Sequence, residues 1–261
     1  MFLDRFRLDD RVAIVTGAGQ GIGAGIATAF SEAGAHVVCA ARTQAKIDAV
    51  AGQVRSHGRR GLAVACDVMK REQLERLVER TLDEFGRIDV LVNNASGSTP
   101  APALRTSERL FEGVLRFNLT SPFLLSRLVA PHMVATAGAG SIVNISSGAG
   151  RLGLAGFAAY GSAKAGLNHL SRILAVEFAP KLRVNAIVVG LVATPGNASV
   201  NDAATLSRLV QAIPMGRIGC VEDIAACALY LASPAASWVT GKVFEVDGGN
   251  EIPTGYPVDP L

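Results

Sequence analysis

Tyr160 and Lys164 stand four residues apart in Tyr160-Gly161-Ser162-Ala163-Lys164, and Tyr160 is one of only three tyrosines in the chain. On a helix this spacing puts both side chains on one face, with the Lys164 ammonium close to the Tyr160 phenol. A free phenol titrates near pH 10 and is a poor base at neutrality, whereas a neighbouring cation favours the phenolate. Lowering that value by ~3 units takes about 4 kcal/mol of differential interaction, which an ammonium and a second cationic group supply in a partly dry site. A Tyr and a Lys at this spacing also arise by chance on exposed helix faces, so the pair needs company. One companion is Thr16-Gly17-Ala18-Gly19-Gln20-Gly21-Ile22-Gly23, spaced Gly-x3-Gly-x-Gly rather than GxGxxG. A glycine-rich turn between a strand and a helix lets the backbone approach a pyrophosphate and aims the free N–H groups of the helix at that charge.

The elements that must hold these groups alternate along the chain. Arg11–Thr16, His36–Ala41, Leu62–Cys66, Ile88–Asn93, Ser141–Ser146, Arg183–Val189 and Val243–Asp247 are Val- and Ile-rich runs with little polar alternation, as in parallel strands covered on both faces. Helical stripes lie between them, such as Ile47, Val50, Ala51 and Val54, then Leu74, Leu77, Val78, Leu82 and Phe85. Such alternation means right-handed crossovers and an α/β, doubly wound parallel sheet. With 261 residues and no repeat, linker or composition break, one domain spanning residues 1–261 is expected.

Two segments depart from the pattern. From Thr106 to about Ala135, apolar residues occupy more than one helix face, which fits a deeply buried helix or a subunit interface. The segment 196–216 holds a short amphipathic helix (Leu206, Leu209, Val210, Ile213). It follows the C-terminal end of a strand, so it reads as a surface insertion or a substrate lid.

Composition narrows the function classes. Net charge is +3, and the one dense basic stretch, Arg55 to Arg60, reads as a helix end, so no nucleic-acid partner is expected. No run approaches 18 apolar residues and the N-terminus lacks an apolar leader, which points to no membrane partner and a cytoplasmic chain. Four cysteines without a CxxC pair fit a reduced interior, and His36, His57, His132 and His169 show no metal-ligand spacing, so no metal is expected.

Together, the TGxxxGxG turn, Asn93-Asn94-Ala95 at the end of the fourth strand and Tyr160-x3-Lys164 resemble the short-chain dehydrogenase/reductase superfamily in its compact branch. The resemblance runs from about Leu8 to Gly249, taking in Asp67-Val68 and Val246-Asp247-Gly248-Gly249. It implies a Rossmann-like seven-stranded sheet with helices on both faces and a homotetramer. It also implies roles. Tyr160 would be the general acid in reduction and the base in oxidation. Lys164 would lower the Tyr160 pKa and hold the nicotinamide ribose. The 13-residue interval before Tyr160 selects Ser147 over Ser146 as the hydroxyl that steadies the substrate oxygen. Asn118 would hold a water linking Lys164 to solvent.

For the cofactor, the resemblance implies Gly17, Gln20, Gly21, Ile22 and Gly23 at the phosphates, Asp67 and Val68 at the adenine, and Asn94 and Ala95 at the adenosine ribose. Gly190, Val192 and Thr194 would border the carboxamide, although the family's Pro-Gly there appears as Val189-Gly190. Where an NAD enzyme places a carboxylate for the ribose 2′-OH, this chain has Ala41 followed by Arg42, which favours NADP(H) over NAD(H). Against that, Gln20 stands where many NADP-dependent relatives carry a second basic residue.

The substrate walls, Gly148–Phe157 and Ser96–Leu104, are small and apolar, with only Arg151 charged. Other stretches, such as Leu128–Met133 and Ser233–Gly241, resemble 7α-hydroxysteroid dehydrogenases and 3-oxoacyl-carrier-protein reductases. The expected function is reversible hydride transfer between NADP(H) and an apolar ketone or secondary alcohol. The alternatives are an NAD(H)-dependent hydroxysteroid-type enzyme, a dehydratase or epimerase, and a non-catalytic nucleotide-binding regulator. The Pro-rich tail, Glu251–Leu261, is open between covering a neighbouring subunit and disorder.

Overall fold

A computed structural model describes residues 1–195 and 203–250, apart from the side chains of residues 203–205 and 208. Residues 196–202 of the expected lid and the tail 251–261 lie outside the described residues. Each expected strand is present, with ends within two residues of the sequence reading. The strands are β1 (Val12–Thr16), β2 (His36–Ala41), β3 (Gly61–Ala65), β4 (Val90–Asn93), β5 (Gly140–Ile145), β6 (Leu182–Val189) and β7 (Val243–Val246). They pair in parallel in the order β3-β2-β1-β4-β5-β6-β7.

Helices cover both faces because their apolar stripes match the two sides of the sheet. On one face, α1 (Gly21–Glu32), α2 (Gln44–Ser56) and α8 (Val221–Ala232) bury Ile26, Phe30, Ile47, Val50, Val54, Ile224 and Leu231 with alternate β1 and β2 residues. On the other, α3 (Arg71–Phe85), α5 (Ser121–Ala137) and α6 (Ala158–Phe178) bury Leu74, Leu77, Val78, Leu125, Val129, Met133 and Leu174. Two more, α4 (Glu108–Leu115) and α7 (Ala203–Gln211), complete the α-helices among the described residues. The connection reverses direction between β1 and β4, and in such sheets ligands bind outside the strand ends at that reversal.

The arginines of the basic stretch at the end of α2 each have a partner. Arg55 donates to the Gly61 carbonyl at 2.7 Å, Arg59 pairs with Asp10 at 3.1 Å, and Arg60 pairs with Glu84. A buried polar chain fixes the layers near the reversal. The Asn93 amide donates to Asn144 Oδ1 (2.8 Å) and Ser126 Oγ (3.1 Å), and the Asn144 amide donates to Ser171 Oγ (2.9 Å). These bonds tie β4 and β5 to α5 and α6, and a fully satisfied network of this kind specifies one packing.

The apolar stretch 106–135 is not one uniform helix. Between α4 and α5 the chain widens into a π-turn at Arg116–Thr120. Asn118 lies inside that turn, fully buried, and its amide donates to the Val114 carbonyl at 3.0 Å. Such wide turns accommodate a side chain that competes for helix carbonyls, and they recur at functional sites.

Candidate active site

At the ends of β1 and β4, two sequence motifs fold into one structure. Asn94 N and Ala95 N both donate to Thr16 Oγ1 at 3.0 Å, and Thr16 Oγ1 donates to the Val92 carbonyl at 3.2 Å. The Asn94 amide donates to the Thr16 carbonyl at 2.9 Å. Asn94 therefore clamps the glycine loop, a duty its sequence position does not show. The clamp dictates the glycines: a Cβ on Gly17 would lie 2.7 Å from Asn94 Nδ2, and one on Gly23 would lie 2.4 Å from the Gly17 carbonyl oxygen. Gly17 also needs its positive φ of 65°. The loop thus reaches Gln20, whose side chain does not cap α1, and the N–H groups of the helix face the opening.

That opening is a cavity of about 500 Å³ lined by Gly17, Gln20, Gly21, Ile22 and Gly23 on one side and Arg42, Asp67, Val68, Asn94 and Ala95 around the rest. Ser96, Phe117 and Thr194 close its inner end. Thr194 sits over the loop, 3.4 Å from where a Gly21 Cβ would be. Gly190 and Val192 do not line this cavity. Val192 is buried in the core, bridges Gly219 and is among the residues that line a second cavity with Leu191 and Asp247. Gly190 is needed for packing, since a Cβ there would lie 2.5 Å from Asp247 Cα.

Beyond the inner end, α6 presents Tyr160 and Lys164 on one face, with the ammonium 5.6 Å from the centre of the phenol ring. The one-turn helix Gly148–Gly150 presses on α6, where a Cβ on Gly150 would lie 2.8 Å from the Lys164 carbonyl carbon and one on Gly161 would lie 2.7 Å from the Ala149 oxygen. Small residues therefore set the approach of Ser147 to Tyr160. Ser147 accepts from Ala149 N at 3.3 Å, whereas Ser146 is buried and bonds the Lys164 carbonyl at 3.4 Å. Asn118 is anchored to the loop after β4, accepting from Gly97 N (3.1 Å) and donating to the Gly97 carbonyl (2.9 Å). With the bond to Val114, both amide hydrogens are used, so a water can meet only the remaining capacity of Oδ1 or the backbone.

Burial shapes the charges. Lys164 is 2% exposed and donates to the Ile145 carbonyl at 2.8 Å, and desolvation pushes its pKa down from 10.5 to about 7. Burial pushes the Tyr160 phenol up, against hydrogen bonding to Ser147 and Ser96, which pulls it down. The expected lowering of Tyr160 by Lys164 is thus not produced by the chain alone, because burial raises the phenol and disfavours the charge on Lys164. Arg151, expected as the charge in the substrate wall, pairs with Glu245. Ser96, expected in the substrate wall, touches both the cavity and Tyr160, and Lys46, which escaped the sequence reading, joins the cavity beside Gln20.

The family model described as Enoyl-(Acyl carrier protein) reductase matches residues 17–251. An uncharacterized oxidoreductase of Mycobacterium tuberculosis is 46% identical over 255 residues, covering 97% of each chain. The 7α-hydroxysteroid dehydrogenase of Escherichia coli K12 is 38% identical over 250 residues, covering 94% of this chain and 96% of the relative. A solved 7α-hydroxysteroid dehydrogenase complexed with NADH and 7-oxo glycochenodeoxycholic acid superposes with a TM-score of 0.91 at 38% identity, covering 94% and 96%. The chain belongs to the short-chain dehydrogenase/reductase superfamily of oxidoreductases.

Proposed function

We propose that this oxidoreductase reduces an apolar ketone with NADPH, and runs in reverse on the secondary alcohol. The observation that carries the reading is Tyr160 beside the buried Lys164, with Tyr160 joined through Ser96 to a cavity whose glycine loop suits a dinucleotide. The residues fit that group: a glycine cradle with no room for a Cβ, a helix N-terminus, and cations at the far end. Bound there, the nicotinamide cofactor supplies or accepts the hydride.

The chain's own residues handle binding and the proton. Gly17, Gln20, Gly21, Ile22 and Gly23 hold the phosphates, Asp67 and Val68 the adenine, and Arg42 the 2′-phosphate in place of a carboxylate. Ser147 donates to the substrate oxygen as negative charge develops on it. Tyr160, its phenol raised by burial and therefore protonated at neutral pH, donates the proton that completes the alcohol. Lys164 orients the cofactor ribose and returns a proton toward Tyr160. Asn118 holds the relay in place through Gly97.

With Arg151 paired to Glu245, the walls 148–157 and 96–104 offer small and apolar contacts, which suits a steroid-like or 3-oxoacyl-like substrate. A homotetramer belongs to the same reading, with Phe123 and Val134 on α5 and Ile173 and Val176 on α6 as the exposed apolar surface. Tyr160→Phe is expected to bind NADPH as the wild type does and to lose about 10²- to 10⁴-fold in turnover of a ketone panel. Unchanged turnover in that variant would remove Tyr160 from the mechanism. Tighter binding of NADH than NADPH by the wild type would favour an alcohol-oxidising, hydroxysteroid-type dehydrogenase.

A further inference from the structure

The NADP(H) reading leaves one cation at the adenosine end, because Gln20 occupies the place where a second basic side chain would help. The fold brings that charge from elsewhere. Lys46 lies in the first turn of α2, three residues after the N-cap Thr43, and its Nζ donates to Gln20 Oε1 across 26 residues of sequence. Lys46, Arg42, Thr43 and Gln20 line the same cavity. Gly19 makes the approach possible, since a Cβ there would lie 3.1 Å from Lys46 Cβ.

A lysine in the first turn of a helix opposes the helix dipole, and α2 has no acidic residue in that turn to offset it. Its position therefore gains nothing for α2. It adds instead to the positive field made by Arg42 and by the N-terminus of α2, both at the cavity edge. We infer that Lys46 is a specificity-determining residue that, together with Arg42, receives a phosphate monoester on the ribose 2′ position, with Gln20 holding its ammonium in place. The group recognised is a dianion at neutral pH with three acceptor oxygens, which an ammonium and a guanidinium meet from two directions. This inference rests on the NADP(H) reading and deepens it.

The test uses the full-length chain and its Lys46→Met variant, titrated with NADPH, NADH and 2′,5′-ADP. Lys46 is exposed, and unchanged NADH binding reports that the variant is folded. NADPH and 2′,5′-ADP are expected to bind about 10- to 100-fold more weakly, the scale of one charge-assisted hydrogen bond, while NADH stays within about threefold. The loss should shrink at high salt. Equal loss of NADPH and NADH, or no loss of NADPH, overturns the assignment. The parent reading fails separately, when wild-type protein prefers NADH. Even then, Lys46 stands or falls on whether its removal weakens the 2′-phosphorylated ligands selectively.

Discussion

Replacing Lys164 with Met is expected to raise stability at neutral pH while nearly abolishing turnover. Burial holds the Lys164 ammonium at about 7 instead of 10.5. In the unfolded chain the amine is protonated below pH 10.5, and in the folded chain only below about 7. Between those values the unfolded state binds a proton that the folded state does not, so stability falls as pH falls through the window and levels off below it. Three to four units at about 1.4 kcal/mol each give roughly 5 kcal/mol of cost at pH 6.5. Met removes that cost but leaves the Ile145 carbonyl without its 2.8 Å partner, a loss of about 1–3 kcal/mol. The net gain is about 2–4 kcal/mol at pH 6.5, or roughly 5–15 °C in Tm for a chain of this length. At pH 9.5 only about one unit of the window remains, and the lost bond cancels it. Urea unfolding of both proteins at the two pH values, at one protein concentration, reads the difference directly. A variant less stable than wild type at pH 6.5, or an equal difference at both pH values, would refute the claim that Lys164 is held at the expense of stability.

Ser96→Gly removes one of two hydroxyls that lower the Tyr160 pKa. The rising, low-pH limb of the pH–rate profile for alcohol oxidation, which Tyr160 sets as the base, should move up by up to about one unit, the worth of one hydrogen bond, with NADPH affinity little changed. Gly23→Ala places a Cβ 2.4 Å from the Gly17 carbonyl oxygen and 2.5 Å from Asn94 Nδ2. Cofactor binding should be lost, by fluorescence titration, before the fold is, by circular dichroism.

The parts of the site that were legible in the sequence are those built from local spacing. The strand–turn–helix around Gly17–Gly23 and the Tyr160–Lys164 face are set within one turn or one helix, so residue order specifies them. The strands were legible because both faces of a parallel sheet are covered, which leaves unbroken Val and Ile runs. What escaped depends on contacts between distant segments. Lys46 meets Gln20 only because β2 and α2 return the chain to the first loop. Asn94 reads as a ribose contact, yet its amide secures the Thr16 carbonyl, since the packing of β4 beside β1 is not written in either motif. Arg151 reads as a pocket charge until β7 brings Glu245 to it. Val192 is joined to Gly219 by a parallel bridge that neither segment announces.

The π-turn at Arg116–Thr120 shows why such contacts matter for the chemistry. A regular helix through Asn118 would leave its amide competing with the helix for the Val114 carbonyl. The wider turn lets that bond form while the same side chain grips Gly97 from both sides. Gly97 follows Ser96, which lines the cofactor cavity and also faces Tyr160. On its other side the turn rests on α6, where Gly166 admits Leu119, since a Cβ there would lie 2.9 Å from Leu119 Cδ2. One buried amide therefore fixes the loop that borders the cavity to the turn packed on the helix that carries Tyr160 and Lys164. A shift in either would move the hydroxyl of Ser96 relative to Tyr160, and displacements of about 1 Å at a reacting centre cost on the order of 100-fold in rate. On the proposed reading, the irregular helix thus falls where the cavity and the Tyr160–Lys164 face must be held in register.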